Sequence, residues 1–217
     1  MIESIKTNLL WTEGLPIVLV LSTLAVVTFI FLRPFFYITF LLFAFSFYFF
    51  RNPKRVCKEV LNNSSLFVCP ADGKVVGVNY DKNSSFDGFS QRVSIFLSPF
   101  DVHVNWAPVD GVVEKVVYKP GQFKMAFLPK SSELNERNDV CITAKNGKKM
   151  VVRQIAGTIA RQICCWVKDN QDIKQGQKYG MIRFGSRVDI LLPDDAIINV
   201  GVGQRVYGGK TVLGRWK

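Results

Sequence analysis

Pro70-Ala71-Asp72-Gly73-Lys74-Val75-Val76-Gly77-Val78 is echoed by Pro108-Val109-Asp110-Gly111-Val112-Val113-Glu114-Lys115-Val116. In each copy a proline and an Asp-Gly pair make a tight turn, and the β-branched residues that follow favour an extended strand. The shared P-x-D-G-x-V pattern is thus a turn feeding a strand, and by itself it carries no chemistry.

Outward from this pair, the chain after Leu66 keeps the same texture of short Val- and Ile-rich runs bounded by Gly, Pro, Asn and Asp. That texture predicts strands over 74–79, 92–97, 112–118, 140–144, 149–155, 158–167, 178–182, 187–191 and 196–200, with no long amphipathic helix. The fold expected is mainly β, a β-sandwich or barrel-sandwich-like catalytic domain; turn-strand units of this kind also occur in lipoyl and biotinyl domains.

The N-terminal part belongs to a different solvent. Leu15 to Leu32 is one apolar run, Arg33-Pro34 interrupts it, and Phe35 to Phe50 is a second run rich in Phe and Tyr. Each run lies near the lower limit of about 17 residues for a spanning helix. A helical membrane hairpin with the Arg-Pro break at its tip is expected, the alternative being two interfacial or partly inserted helices. Arg51, Lys54, Arg55 and Lys58 follow at once, which would place the next domain on the cytoplasmic side of the cell membrane. The domains read from this are a membrane-associated segment with a basic linker, 1–58, and a catalytic domain, 59–217.

The chain has 217 residues, is 48% hydrophobic and carries a net charge of +11, so an anionic partner is expected and a disordered tail protein is excluded. The adjacent apolar segment favours anionic membrane lipid over nucleic acid. Cys57, Cys69, Cys141, Cys164 and Cys165 lack C-x-x-C spacing, so no metal site and no disulfide framework is expected.

Two stretches can carry chemistry. The sole histidine, His103, lies in Ser98-Pro99-Phe100-Asp101-Val102-His103-Val104-Asn105, and it alone has a side chain titrating near neutrality. Arg183-Phe184-Gly185-Ser186-Arg187-Val188-Asp189 reads as a Gly-Ser turn of a hairpin, but it also suits acyl transfer. A serine hydroxyl can attack the carbonyl of a preceding glycine, which has no side chain to block approach. Elimination from the resulting ester releases the Gly185 carboxylate and leaves dehydroalanine, whose hydrolysis gives a pyruvoyl cap and ammonia.

The order P-A-D-G, S-P-F-D-V-H-V-N, Q-I-A-G and F-G-S-R-V-D closely resembles the phosphatidylserine decarboxylase family in its short, membrane-associated form, from about Arg51 to the C-terminus. The resemblance implies self-cleavage between Gly185 and Ser186 and a covalent pyruvoyl cofactor derived from Ser186. It implies a heterodimer of a β subunit, 1–185, and an α subunit, 186–217. That group would form a Schiff base with phosphatidylserine and release carbon dioxide to give phosphatidylethanolamine. The family's acidic position falls on Asp72 and its histidine on His103; a second histidine of longer members is replaced here by Trp106. On this reading Asp72 orients His103, which serves Ser186 as base during cleavage and then protonates the substrate α-carbon.

Substrate contacts are expected from Gln154, Ala156 and Gly157 and from Arg161, with Arg153, Arg183 and Arg187 as further candidates. Two other classes stay open at this point: a membrane-tethered lipoyl- or biotinyl-like carrier using Lys124, and a Ser-His-Asp lipid hydrolase, although the latter's G-x-S-x-G elbow is missing.

Overall fold

A computed structural model describes residues 14–60, 63–80, 88–122, 134–157, 163–183 and 186–217. The chain divides into two compact units, Met1–Lys54 and Arg55–Lys217.

The first unit contains α1, Leu15–Phe31, and α2, Arg33–Phe49, each 17 residues long. Leu32 leaves the helical region at φ −136°, and prolines sit in the first turn of both helices, where a missing N–H costs nothing. The two helices pack on one another, with Thr28 and Thr39 hydroxyls 2.7 Å apart and Phe29 edge-on to Phe36 at 5.1 Å. One hydroxyl donates to the other, which donates in turn to a carbonyl of its own helix, so both are satisfied without water. Leu19, Val20, Phe31, Tyr37, Ile38 and Leu41 are more than half exposed. The predicted membrane-spanning hairpin is corrected: among the described residues no helix is long and apolar enough to cross a membrane. Seventeen residues rise only about 26 Å against a hydrocarbon core of about 30 Å.

The second unit is built from strands. In chain order they are β1 (Leu66–Val68), β2 (Gly73–Tyr80), β3 (Gln91–Leu97), β4 (Val104–Trp106), β5 (Gly111–Lys119), β6 (Arg137–Ala144) and β7 (Lys149–Ile155). There follow β8 (Ile163–Cys165), β9 (Gln171–Ile173), β10 (Lys178–Ile182), β11 (Ser186–Leu192), β12 (Ala196–Ile198), β13 (Arg205–Val206) and β14 (Val212–Trp216). Eight of them form one antiparallel sheet in the order β13-β2-β3-β11-β7-β6-β5-β9; β4-β10-β8 and β1-β14-β12 form two three-stranded sheets. The domain is mainly β as expected, but the sheets are open rather than closed into a barrel, with β13 and β9 as the free edges of the largest.

The Pro-x-Asp-Gly echo is a structural repeat. Gly73 opens β2 and Gly111 opens β5, and a Cβ on either would collide with a facing carbonyl oxygen, Phe96 O or Thr143 O. Each strand then slips register at the same distance from its glycine, between Val75 and Gly77 in β2 and between Val113 and Lys115 in β5. A bulge bends and twists a strand locally. The sheet order therefore reads alike from both ends, with β2 beside β13 and β5 beside β9.

Strand β11 occupies the middle, paired with β3 along its whole length and with β7 over Arg187–Leu191. All seven of its residues are buried. One face carries Ser186, Val188 and Ile190 alongside Leu97, Ile95 and Val93 of β3, and the hydrophobic core lies on that face. Each fully buried aliphatic side chain there contributes about 1.5–3 kcal/mol. The opposite face carries Arg187 and Asp189, joined through bonds of 2.6 and 3.0 Å, next to the Arg153–Asp139 pair at 2.7 and 2.8 Å.

Of the nine predicted strands, the run over 158–167 forms only Ile163–Cys165 among the described residues. β1, β4, β9, β13 and β14 were not anticipated. The first four have two or three residues each, too short for alternation to register.

Candidate active site

Leu97 faces Ser186 in the β3–β11 ladder, and the amide of Ile182, in β10, donates to the carbonyl of His103 at 3.1 Å. The connections 98–102 and 183–185 thus join the same two pairs of strand ends. This register brings the lone histidine and Ser186 to one end of the large sheet, from segments far apart in sequence.

Ser186 begins β11 on the core face, fully buried, and its Oγ has no hydrogen-bond partner among the described residues. A buried hydroxyl without a partner costs about 1–3 kcal/mol. Gly185 lies outside the described residues.

His103 is also fully buried, and its Nδ1 lies 2.9 Å from the carbonyl oxygen of Asp101. A carbonyl only accepts, so Nδ1 carries a proton, and in the neutral form of the ring the lone pair lies on Nε2, where a base needs it. The turn that holds it is tied twice, Ser98 N and Ser98 Oγ each donating to Asp101 Oδ2 at 2.8 Å. Arg205 pairs with the other carboxylate oxygen.

Asp72 does not orient His103, and that expectation is corrected. Its carboxylate is gripped by both terminal nitrogens of Arg55, one at 2.8 Å, and accepts the Gly208 amide at 2.9 Å. The Arg55 guanidinium also lies over the Trp106 ring at 4.8 Å and donates to the Gly208 carbonyl at 3.0 Å. Trp106, at the position where a second histidine was absent, is thereby bound to Asp72 through an arginine. Cys69, next to this turn, has its thiol pushed up to about 12 by burial, so it is no nucleophile.

The expected substrate contacts are also redistributed. Gln154 is fully buried and its amide is spent within the protein: Nε2 donates to Asn105 Oδ1 at 2.8 Å, and Oε1 accepts from Asn138 Nδ2 at 3.0 Å. Ala156 is clamped through its backbone, its amide donating to Glu136 O at 3.0 Å and its carbonyl accepting from Asn135 at 2.8 Å. Gly157 follows it, buried. Arg153 and Arg187 are held in the buried pairs with Asp139 and Asp189, on the face away from Ser186. Arg183 is half-buried beside the site; Arg161 and Lys124 lie outside the described residues.

Sequence reading missed Arg55, taken only as boundary charge, and the amide chain Asn105–Gln154–Asn138. Both are made by residues distant in sequence, and the polar character of Asn105 beside His103 was the sole local signal.

An open antiparallel β domain with a buried serine at the start of its central strand and a buried histidine just ahead of β4 is the framework of a β-sheet enzyme. A family model described as phosphatidylserine decarboxylase matches residues 42–214. The phosphatidylserine decarboxylase proenzyme of Desulfotalea psychrophila is 43% identical over 173 residues, 79% of this chain and 79% of the relative. That of Syntrophus aciditrophicus is 44% identical over 173 residues, 78% of this chain and 79% of the relative. The chain belongs to the phosphatidylserine decarboxylase family, and its activity is the removal of the carboxyl group of phosphatidylserine. The carrier and hydrolase alternatives are not favoured.

Proposed function

We propose that the chain is a proenzyme that cuts itself between Gly185 and Ser186. His103 Nε2 takes the proton of Ser186 Oγ, which bonds to the Gly185 carbonyl carbon as the peptide C–N bond breaks and the amine takes up a proton. Loss of the Ser186 α-proton and rupture of the Cβ–O bond then free the Gly185 carboxylate and leave dehydroalanine. Water converts this to the pyruvoyl group with release of ammonia. The carrying observation is the unpartnered, fully buried Ser186 Oγ at the sheet end shared with a histidine whose Nδ1 is pinned as donor.

The residues present fit such a group: the ketone oxygen takes the place of the α-nitrogen and the hydroxymethyl becomes a methyl, which needs no new space, and the orphaned polar atoms there suit a polar ligand. When formed, the group supplies an electrophile that takes up the lipid amine and withdraws electrons from the carbon losing carbon dioxide. His103 then returns a proton to that carbon. Asp72 acts as a positioning residue, through Arg55 and Trp106, on β4 beside His103.

The two products of the cut, 1–185 and 186–217, stay together as a heterodimer. The exposed apolar surface of α1 and α2 and the net charge of +11 support attachment to anionic membrane lipid by partial insertion, with the catalytic domain on the cytoplasmic side of the cell membrane.

Electrophoresis and mass measurement of the purified protein test the reading. Two fragments are expected, the small one blocked at its N-terminus by a keto group, and Ser186→Ala abolishes the split. A single intact chain with an ordinary serine at 186 overturns it. His103→Ala abolishes turnover; full activity in that variant removes the role given to it.

A further inference from the structure

Asn105 is wholly buried, and its Nδ2 has no hydrogen-bond partner among the described residues. The direction of its amide is fixed from far away. Asn138 and Gln154 stand opposite one another in the β6–β7 ladder. Asn138 Nδ2 donates to Gln154 Oε1, which leaves Gln154 Nε2 to donate to Asn105 Oδ1. Asn105 therefore has its acceptor consumed and its donor left over. His103 directly precedes β4, the strand that carries Asn105. Gln154 stands in the row of Val188, and Ala156 follows Ile155, which pairs with Arg187, so Ala156 reaches the row of Ser186. Asn105 thus lies one row inward from the Ser186 level, on the core face.

We propose that Asn105 Nδ2 binds the carboxylate of the serine head group. This rests on the reading of Ser186 as the reacting position. The small end of the substrate offers one amine and one carboxylate; the amine is taken up at position 186, and only the carboxylate accepts hydrogen bonds. A neutral donor suits a group about to leave as uncharged carbon dioxide, since a guanidinium would stabilise the ground state more than the transition state. The nearby buried cations conform to this, because Arg153 and Arg187 are neutralised by Asp139 and Asp189.

The test uses fully self-cleaved protein with vesicles containing phosphatidylserine or phosphatidylethanolamine, which lacks the carboxylate. Cyanoborohydride capture is read as mass added to the small fragment, and the lipid concentration for half-maximal initial capture is compared. Asn105→Leu is expected to raise that concentration about tenfold for phosphatidylserine, the loss of one charge-assisted hydrogen bond, and to leave phosphatidylethanolamine capture and self-cleavage unchanged. Equal losses for both lipids overturn the proposal, as does slowed self-cleavage with unchanged capture.

Should Asn105→Leu not accumulate folded, Gln154→Glu carries the same test without touching Asn105. It presents an acceptor where Nε2 was, so Asn105 must turn its NH₂ group away from the site, and the same selective loss for phosphatidylserine is expected. Unselective or absent loss in Gln154→Glu overturns the proposal. Failure of the underlying reading is visible separately, as absence of the small fragment from the unaltered protein.

Discussion

Each Pro-x-Asp-Gly turn sets a carboxylate on the backbone just past a neighbouring strand: Asp72 on the Gly208 amide at 2.9 Å, Asp110 on the Gln175 amide at 2.7 Å. The bond is part of the turn, so it says nothing about catalysis. The second partner separates the copies, since Asp110 meets the exposed Lys145 while Asp72 meets Arg55 in a buried setting. The Gln175 amide, ahead of Lys145, holds the Asp110 carboxyl below its ordinary range. A depressed carboxyl contributes stability that is present above its unfolded pKa and lost as pH falls through the folded one. Asp110→Asn is therefore expected to cost about 1 kcal/mol at neutral pH and progressively less in acid, measured by urea unfolding in a Ser186→Ala background. Self-cleavage in Asp110→Asn stays normal.

Arg55 gives a sharper contrast. Arg55→Met leaves the Asp72 charge buried without its cation, which destabilises by roughly 3 kcal/mol, and adding Asp72→Asn restores most of that. The same unfolding measurement reads both variants; equal stability of Arg55→Met and the unaltered protein would show that the pair is solvated. Asp72 and His103 were singled out as candidates because they sit in distinctive local patterns. Their connection was not, because it runs through Arg55 and Trp106, which only the fold makes neighbours.

The long, regular elements were readable. Runs such as 149–155 and 178–182 became strands with the predicted bounds, since each holds a short apolar stretch, Met150 to Val152 and Tyr179 to Ile182, close to turn residues. Val104-Asn105-Trp106 was not readable, because three buried residues with a polar centre fit no hydrophobic period, although this strand sets the position of both His103 and Asn105. The apolar helices were found, but their capacity to span was misjudged: each stops at 17 residues, the first where Leu32 leaves helical geometry. At the glycines that open β2 and β5, close approach matters more than conformation. Gly73→Ala and Gly111→Ala are each expected to lower the melting temperature by several degrees, with Gly73→Ala the larger effect because its φ of +149° adds backbone strain to the clash. Calorimetry on Ser186→Ala protein checks the order.

For the molecule as a whole, the segment after the proposed cut is not an appendage. It supplies β11 at the centre of the large sheet, β13 at its edge, and both β12 and β14 of a three-stranded sheet. Its removal would tear β3 from β7 and open the core. The two fragments are therefore expected to co-elute in gel filtration and to separate only at denaturant concentrations that unfold the domain; release of 186–217 under native conditions would contradict this. The apolar surface of α1 and α2 makes a matching expectation for the other end, that the protein sediments with vesicles of anionic lipid more than with neutral ones, and less so in high salt.

Ser186 has no surface exposed to solvent. An outside protease would not reach a bond at such a residue in the folded domain, which agrees with the proposal that the polypeptide is both blade and target. The site also exists only once β11 has slotted between its neighbours, and β11 comes late in the chain. On the proposed mechanism, activation thus waits on folding of the domain, and an unfinished or misfolded copy stays inert without any inhibitor to restrain it.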